Sequence, residues 1–319
     1  MPARLQRVEG KEGGLAGVFV VGSINQDFVL KVDHRPEPGE TVTDAELALS
    51  PGGKGANQAI AAARLGAEVA MLGRVGEDPF GGELVENLRD NGVETSRVEA
   101  VSDAPTGSAF ITVTPDGENA IVVSPGANRR FGPDEVGAAS EDLRKARLLL
   151  AQLEVEVEAV EMAARIVSGN GGRFLLNLAP PREVPGELLR LSDPLVVNEH
   201  EAAFLLGEDA QTPEESAGKL LDLGPPSAVV TLGGAGAILA TENSSRHFPA
   251  PEVQVVDTTG AGDAFVGALA AKLAEGTLLE EAVPYAVLAG AVAVMREGAQ
   301  GSLPAPEDVE KFSDRGPAA

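Results

Sequence analysis

The chain has 319 residues, enough for one large domain, or a large one with a small appendage, around a substantial core. Its net charge of −24 at pH 7 argues against nucleic acid or an anionic membrane as the main partner, since both need basic patches, and with no cysteine it has no disulfides, thiolate catalysis or cysteine metal sites. Only 3% of residues are aromatic, so the core rests on Ala, Val, Leu and Ile, and alternating strand and helix patterns indicate an α/β architecture.

Residues 1–17 carry charges and glycines without an apolar core. They read as a loose extension, not a signal peptide or membrane span, which makes a cytoplasmic location the expectation. The folded domain is expected over 18–312, with 313–319 as a tail. Val18–Val21 is a short apolar run typical of a central parallel strand. The Gly22–Asp27 stretch after it places Asn25 and Asp27 where open α/β sheets bind ligands. The same side chains also suit a turn, and both readings stay open.

Residues 28–50 and 105–124 depart from a βα rhythm. Val29–Val32, 41–49, 107–114 and 119–123 alternate as short strands, and Pro115-Asp116-Gly117-Glu118 is a hairpin turn signal. Together they predict a small antiparallel lid, which would exclude water from a transferable group. Between them, Gly52-Gly53-Lys54-Gly55-Ala56-Asn57-Gln58 runs into a helix continuing to Leu65. Such an entrance lets backbone approach a ligand closely, with Lys54 as its only cation and Asn57 suited to a hydroxyl; a glycine-rich linker is the alternative.

From 68 to 255 the rhythm is βα. Strands are expected at 69–72, 148–150, 174–177, 195–197, 228–231 and 253–256, and helices at 80–91, 134–145, 156–168 and 202–206. Polar groups gather just after these apolar runs: Glu154, Asn198 with Glu201, and Thr231 with Gly233, Gly234 and Gly236. The last glycines also suit a simple β-turn.

Asp257-Thr258-Thr259-Gly260-Ala261-Gly262-Asp263 follows 253–256 and opens an Ala-rich helix over 264–274. Further helices are expected at 278–297 and 306–312. Free N–H groups at a glycine-opened helix start form an anion hole, and a carboxylate beside them can take a proton from an attacking nucleophile, which points to phosphoryl transfer. An ordinary turn with Asp263 as a helix cap is the competing reading. No G-x-x-x-x-G-K-[ST], protein-kinase set or G-x-S-x-G elbow is present, and His34, His200 and His247 lack metal-ligand spacing.

The two stretches Gly52-Gly53-Lys54-Gly55-Ala56-Asn57-Gln58-Ala59 and Asp257 to Phe265, in this order, resemble the signatures of the ribokinase family of carbohydrate kinases, also called the PfkB group. The resemblance runs from about Val18 to Phe312. It implies a three-layer α/β sandwich with a central, mostly parallel sheet and a small antiparallel β lid. It also implies ATP-dependent phosphorylation of D-ribose at O5, with Mg2+ required and K+ activating, in a homodimer joined through the lid sheet. By resemblance, Asp263 is the catalytic base, and Gly260, Ala261 and Gly262 form the anion hole. Asn25, Asp27, Gly53, Lys54, Gly55, Asn57 and Glu154 hold the sugar. Asn198 and Glu201 order magnesium and phosphates through water, and Thr231, Gly233, Gly234 and Gly236 lie beside the nucleotide. Asp257, Thr259, Ala293, Arg296, Gly298 and Ser302 enclose the monovalent cation. Val287 departs from the Asn or His that relatives often place near adenine. Sister kinases for deoxyribose, fructose, 2-keto-3-deoxygluconate, adenosine or pseudouridine are the rivals, and a non-catalytic sugar sensor is the reading from another class. The scarcity of aromatic stacking groups disfavours a nucleoside.

Overall fold

A computed structural model of the protein describes residues 17–116, 119–207 and 212–313. The expectations for residues 1–16, for Gly117-Glu118 of the lid turn and for 314–319 lie outside them.

The main sheet has nine strands. In chain order they are β1 (Val18–Val21), β4 (Val69–Gly76), β5 (Val93–Val101), β8 (Leu148–Ala151), β9 (Arg173–Asn177), β10 (Leu195–Asn198), β11 (Ser227–Thr231), β12 (Ala237–Thr241) and β13 (Ser244–Phe248). Their spatial order is β13-β12-β11-β10-β9-β8-β1-β4-β5. Pairing is parallel from β11 through to β5, whereas β12 and β13 close one edge antiparallel. The central runs are apolar without alternation because both sheet faces are covered. Val18, Val20, Leu150 and Val196 enter one core, while Phe19, Val21, Leu149 and Val197 enter the other.

The helices of eight or more residues are α1 (Lys54–Arg64), α2 (Pro79–Asp90), α3 (Val157–Gly169), α4 (Glu199–Leu206), α5 (Pro213–Asp222), α6 (Ala261–Ala274), α7 (Leu279–Ala293) and α8 (Pro306–Ser313). Residues of α1, α6 and α7 fill the first core, and residues of α3 and α5 the second, which makes three layers. Helices α1 and α6 approach very closely at Gly267. A Cβ there would meet the Gln58 carbonyl at 2.8 Å and the Ala62 nitrogen at 2.9 Å.

The lid is a second sheet of β2 (Asn25–Lys31), β3 (Glu46–Gly52), β6 (Gly107–Val113) and β7 (Asn119–Ser124), ordered β3-β2-β6-β7. Its outer pairings are antiparallel and its central β2–β6 pairing parallel. That pairing follows from topology, since β2 and β6 continue from β1 and β5, which run the same way in the main sheet.

Four expectations are corrected. Val253–Val256 is not a strand: the ladder ends at β13, and Val255 and Val256 stand 58% and 54% exposed. The backbone N–H groups of Val256 and Asp257 donate instead to the Val294 carbonyl beyond α7. The segment 134–145 splits into Pro133–Ala138 and Ser140–Leu143, in keeping with the helix-weakening Gly137. Helix α7 ends at Ala293, and Ala299–Ser302 makes a separate turn after Gly298 at φ 80°. The strand expected over 41–49 begins only at Glu46.

Candidate active site

The loops at the C-terminal ends of β1, β8, β10 and β11 open onto one cleft, where the lid strand β2, the start of α1 and the start of α6 converge. Asn25 and Asp27 lie on β2, not in a turn, which removes the turn reading. Asn25 is 3% exposed and its Oδ1 accepts from Asn128 Nδ2 at 2.7 Å; Asn128 also bonds the Ile24 backbone, fixing the root of the lid. Asp27 Oδ1 is buried without a partner, so nothing in the protein satisfies it. Burial, and then the nearby carboxylates of Glu154 and Asp263, push Asp27 up to about 7 against the pull of Lys54.

Lys54 begins α1, so the glycines form a helix entrance and not a linker. Burial alone would lower its pKa. The surrounding carboxylates Asp263, Glu154, Glu201 and Asp27 outweigh that and raise it, so Lys54 is a charged ammonium at the focus of four acids. Glu154 Oε2 accepts from Ser23 Oγ at 2.5 Å and from the Lys54 N–H at 3.2 Å. It thereby ties the exits of β1 and β8 to α1.

Gly260 precedes α6 in the left-handed region, φ 79°, and a Cβ there would meet the Ala299 backbone at 2.9 Å. The first bond of α6 runs from the Ala264 N–H to the Gly260 carbonyl at 2.8 Å, and Ala261 N–H turns back to Thr258 at 3.3 Å. Gly262 and Asp263 thus bring their N–H groups to the cleft end of the helix. The Asp263 side chain does not cap its own helix. Its Oδ2 accepts from Asn57 Nδ2 and its Oδ1 from Gln58 Nε2, each at 2.9 Å. Gln58 stands in the motif after Asn57 and Gln152 at the polar exit of β8 before Glu154, but sequence reasoning assigned neither a place in the network on Asp263. The buried Gln300 carries no motif signal.

Two pockets meet at Thr231 and Gly262. The smaller, about 160 Å3, is polar and is lined by Lys54, Asn198, Glu201, Gly260 and Asp263 among others. The larger, about 610 Å3, is apolar, with walls that include Val253, Val255, Phe265, Val287 and the turn Gly233-Gly234. It has the size and character of a purine site, and Val287 is part of its apolar wall.

Asn198 and Glu201 form a reciprocal cap of α4, each side chain accepting from the other's backbone N–H at 2.8 Å. Burial raises the Glu201 pKa against the opposing Asn198 bond, Lys54 and His200. A buried carboxylate disfavoured in this way gains from a neighbouring cation, so it fits a phosphate-bound Mg2+. No group of three acidic or histidine side chains suited to a metal occurs among the described residues. The phosphates would therefore supply the metal's other ligands.

Just before α6, Asp257 Oδ1 and Oδ2 accept from the N–H groups of Thr259 and Gly298, each at 2.8 Å, pinning two loops together. Burial pushes the Asp257 pKa up, but the Thr259 hydroxyl, followed by these two N–H groups, more than offsets it and holds it low. The Arg296 guanidinium turns away to Asp308 at 2.9 Å, the Ala293 carbonyl accepts from Arg296 N–H, and Ser302 Oγ donates to the Ala299 carbonyl. Beside the Asp257 carboxylate these loops carry carbonyl and hydroxyl oxygens, hard donors of the kind an alkali cation takes.

Sheet, lid and the glycine-opened helix with its held carboxylate define an α/β phosphotransferase. The profile of the pfkB family of carbohydrate kinases matches residues 15–306. A ribokinase of Haemophilus influenzae is 38% identical over 296 residues, 92% of this chain and 97% of that protein. A deoxyribokinase of Salmonella typhimurium is 37% identical over 301 residues, covering 93% and 97%. The structure of Arabidopsis thaliana ribokinase complexed with ribose and ATP superposes with a TM-score of 0.87 at 34% identity, covering 93% of this chain and 98% of that one. The chain belongs to the pfkB family of carbohydrate kinases.

Proposed function

We propose that the protein transfers the γ-phosphoryl group of ATP to O5 of D-ribose, giving D-ribose 5-phosphate and ADP. The observation that carries this reading is Asp263, whose carboxylate lies at the mouth of α6 beside the polar pocket with both oxygens held by side-chain amides. In this reading the sugar lies under the lid, its hydroxyls held by Asn25, Asp27, Glu154, Asn57 and the backbone of Gly53, Lys54 and Gly55. The unsatisfied Asp27 oxygen supports it, since a sugar hydroxyl is the donor that atom lacks. Adenine occupies the apolar pocket past Thr231, Gly233, Gly234 and Gly236, and the phosphates reach Asn198 and the turn Gly260-Ala261-Gly262, where the Ala261 N–H would exchange its 3.3 Å bond to Thr258 for a phosphate oxygen. As O5 attacks the γ-phosphorus, Asp263 takes the O5 proton, the bond to the β-γ bridging oxygen breaks, and the helix N–H groups stabilise the charge on the equatorial oxygens.

Glu201 would hold Mg2+ through water, and Asp257, Thr259, Ala293, Arg296, Gly298 and Ser302 would hold K+; the ions would supply fixed positive charge beside the phosphates. Residues 18–312 act as one kinase unit with the lid inserted at 28–50 and 105–124. The lid is also the dimer contact: Leu47, Leu49, Phe110 and Val122 are all exposed on one face of it, an apolar surface that a second copy would cover.

Deoxyribose is the second reading, favoured by the deoxyribokinase relative. Asp263→Asn tests the mechanism. Sugar binding measured by calorimetry should persist while kcat falls by roughly 10³-fold or more. Unchanged turnover would remove Asp263 from the base role.

A further inference from the structure

A side-chain amide has a donor end and an acceptor end of the same shape, so its orientation is set by what each end faces. Both amides on the Asp263 carboxylate present their NH2 ends, and each has its oxygen held from behind by another glutamine. Asn57 Oδ1 accepts from Gln300 Nε2 at 2.9 Å, and Gln58 Oε1 accepts from Gln152 Nε2 at 2.6 Å. Gln300 is oriented in turn, its Oε1 accepting from Asn87 Nδ2 at 2.7 Å and its backbone carbonyl from Arg64 Nη1 at 2.7 Å. Gln58 Nε2 is shared with Asn177 Oδ1 at 2.9 Å. Asn57, Gln58, Gln152 and Gln300 are all buried.

Every donor in the first arm points the same way: Asn87 to Gln300, Gln300 to Asn57, Asn57 to Asp263. In the second arm Gln152 donates to Gln58 and Gln58 to Asp263. Gln152 leaves its own Oε1 buried and unpartnered while its NH2 meets Gln58, so it faces the relay at the expense of its own carbonyl. If Asn57 or Gln58 flipped, a carbonyl oxygen would face the carboxylate across a hydrogen-bond distance in a buried site, a repulsive contact.

We propose that Gln300 and Gln152 are positioning residues: they set the amide orientation of Asn57 and Gln58 and thereby lock the Asp263 carboxylate in the rotamer that receives the proton. Gln300 also lies between Gly298 and Ser302, so the relay mechanically joins that loop to the base. Neither glutamine touches the reacting atoms. Their effect falls on proton transfer; ATP affinity is left alone, and ribose affinity changes only on the Gln300 arm, through Asn57.

The proposal rests on Asp263 being the base, and the test separates the two. Steady-state kinetics with ribose and ATP are measured for Gln300→Met and Gln152→Met, which keep side-chain volume but remove the donor, and for Asn87→Ala, at the half-buried far end. Thermal unfolding is followed alongside. In Gln300→Met and Gln152→Met, kcat falls by about tenfold, the worth of one hydrogen bond in the transition state, while KM for ATP stays within about twofold in both and KM for ribose does so in Gln152→Met. Asn87→Ala lowers kcat by a smaller factor, and adding it to Gln300→Met lowers kcat no further, because both act through one arm. Should Gln300→Met fail to fold, Asn87→Ala and Gln152→Met carry the same kcat-against-KM readout. Unchanged kcat in the folded glutamine variants, or a loss expressed wholly in KM, overturns the relay. If Asp263→Asn abolishes turnover while the glutamine variants stay at full rate, the relay alone is wrong. If Asp263→Asn retains turnover, the base assignment fails first and the relay with it.

Discussion

Asp27 shows how much chemistry one buried atom can carry. Its carboxyl sits among Glu154 and Asp263 with one oxygen lacking any partner, and burial first, then those charges, raise it to about 7. An acid whose folded pKa lies above its unfolded value binds a proton more tightly when folded. Its contribution to stability is therefore full below about pH 4 and is lost as pH climbs towards about 7. Asp27→Asn removes that loss. Urea unfolding without sugar should show wild type losing roughly 2–4 kcal/mol relative to Asp27→Asn between pH 4 and pH 8. Parallel pH dependences would mean that Asp27 is solvated. The same variant should bind ribose more weakly at pH 8, since a neutral amide accepts a hydroxyl proton less well than a carboxylate.

Among the elements, the contact of α1 with α6 decides whether the site exists. Asn57 and Gln58 lie one turn before Ala61 and Ala62, and Asp263 lies one turn before Gly267, so the close contact at Gly267 brings the amides onto the carboxylate. Gly267→Ala drives a methyl into the backbone of α1. It should cost about 1–3 kcal/mol in chemical unfolding and lower kcat together with it, because the helices must part. A variant as stable and active as wild type would show that the contact is loose. Both elements were readable in the sequence because glycine clusters at helix entrances leave a local signature. The relay behind them was not, because Asn87, Gln152 and Gln300 converge from distant segments and a glutamine bound for a buried network looks like any other. The segment 253–256 misled for a related reason: its alternating valines suit a strand, but no neighbouring strand is there to pair with it, and the apolar side chains line a pocket wall instead. For Asn25 and Asp27 the sequence left a ligand and a turn reading open, because its strand pattern shows only over Val29–Val32, whereas β2 begins at Asn25 through pairing with β3 and β6.

For the whole molecule, the net charge of −24 repels a nucleotide polyanion at a distance, whereas the helix N–H groups and Lys54 attract it locally. Salt screens the first effect more than the second. With Mg2+ and K+ held saturating, kcat/KM for ATP should therefore rise as ionic strength goes from about 0.01 to about 0.1 M, where the Debye length shrinks to about 10 Å. A fall over that range would mean that local attraction also governs encounter. The apolar lid surface belongs to this scale as well: Val122, 69% exposed, should tolerate Glu in a monomer, whereas in the proposed dimer Val122→Glu halves the mass seen by sedimentation. No helix among the described residues is long and apolar enough to cross a membrane.

The measurement that bears most directly on the account is phosphorus NMR of the purified protein incubated with ATP, Mg2+ and K+ against ribose, deoxyribose, fructose, 2-keto-3-deoxygluconate, adenosine and pseudouridine in separate reactions. The account predicts that ribose is consumed fastest, that the new resonance is a primary phosphate ester at O5, and that omitting K+ slows its appearance. Faster consumption of another sugar or nucleoside, or no ester from any of them, would contradict it.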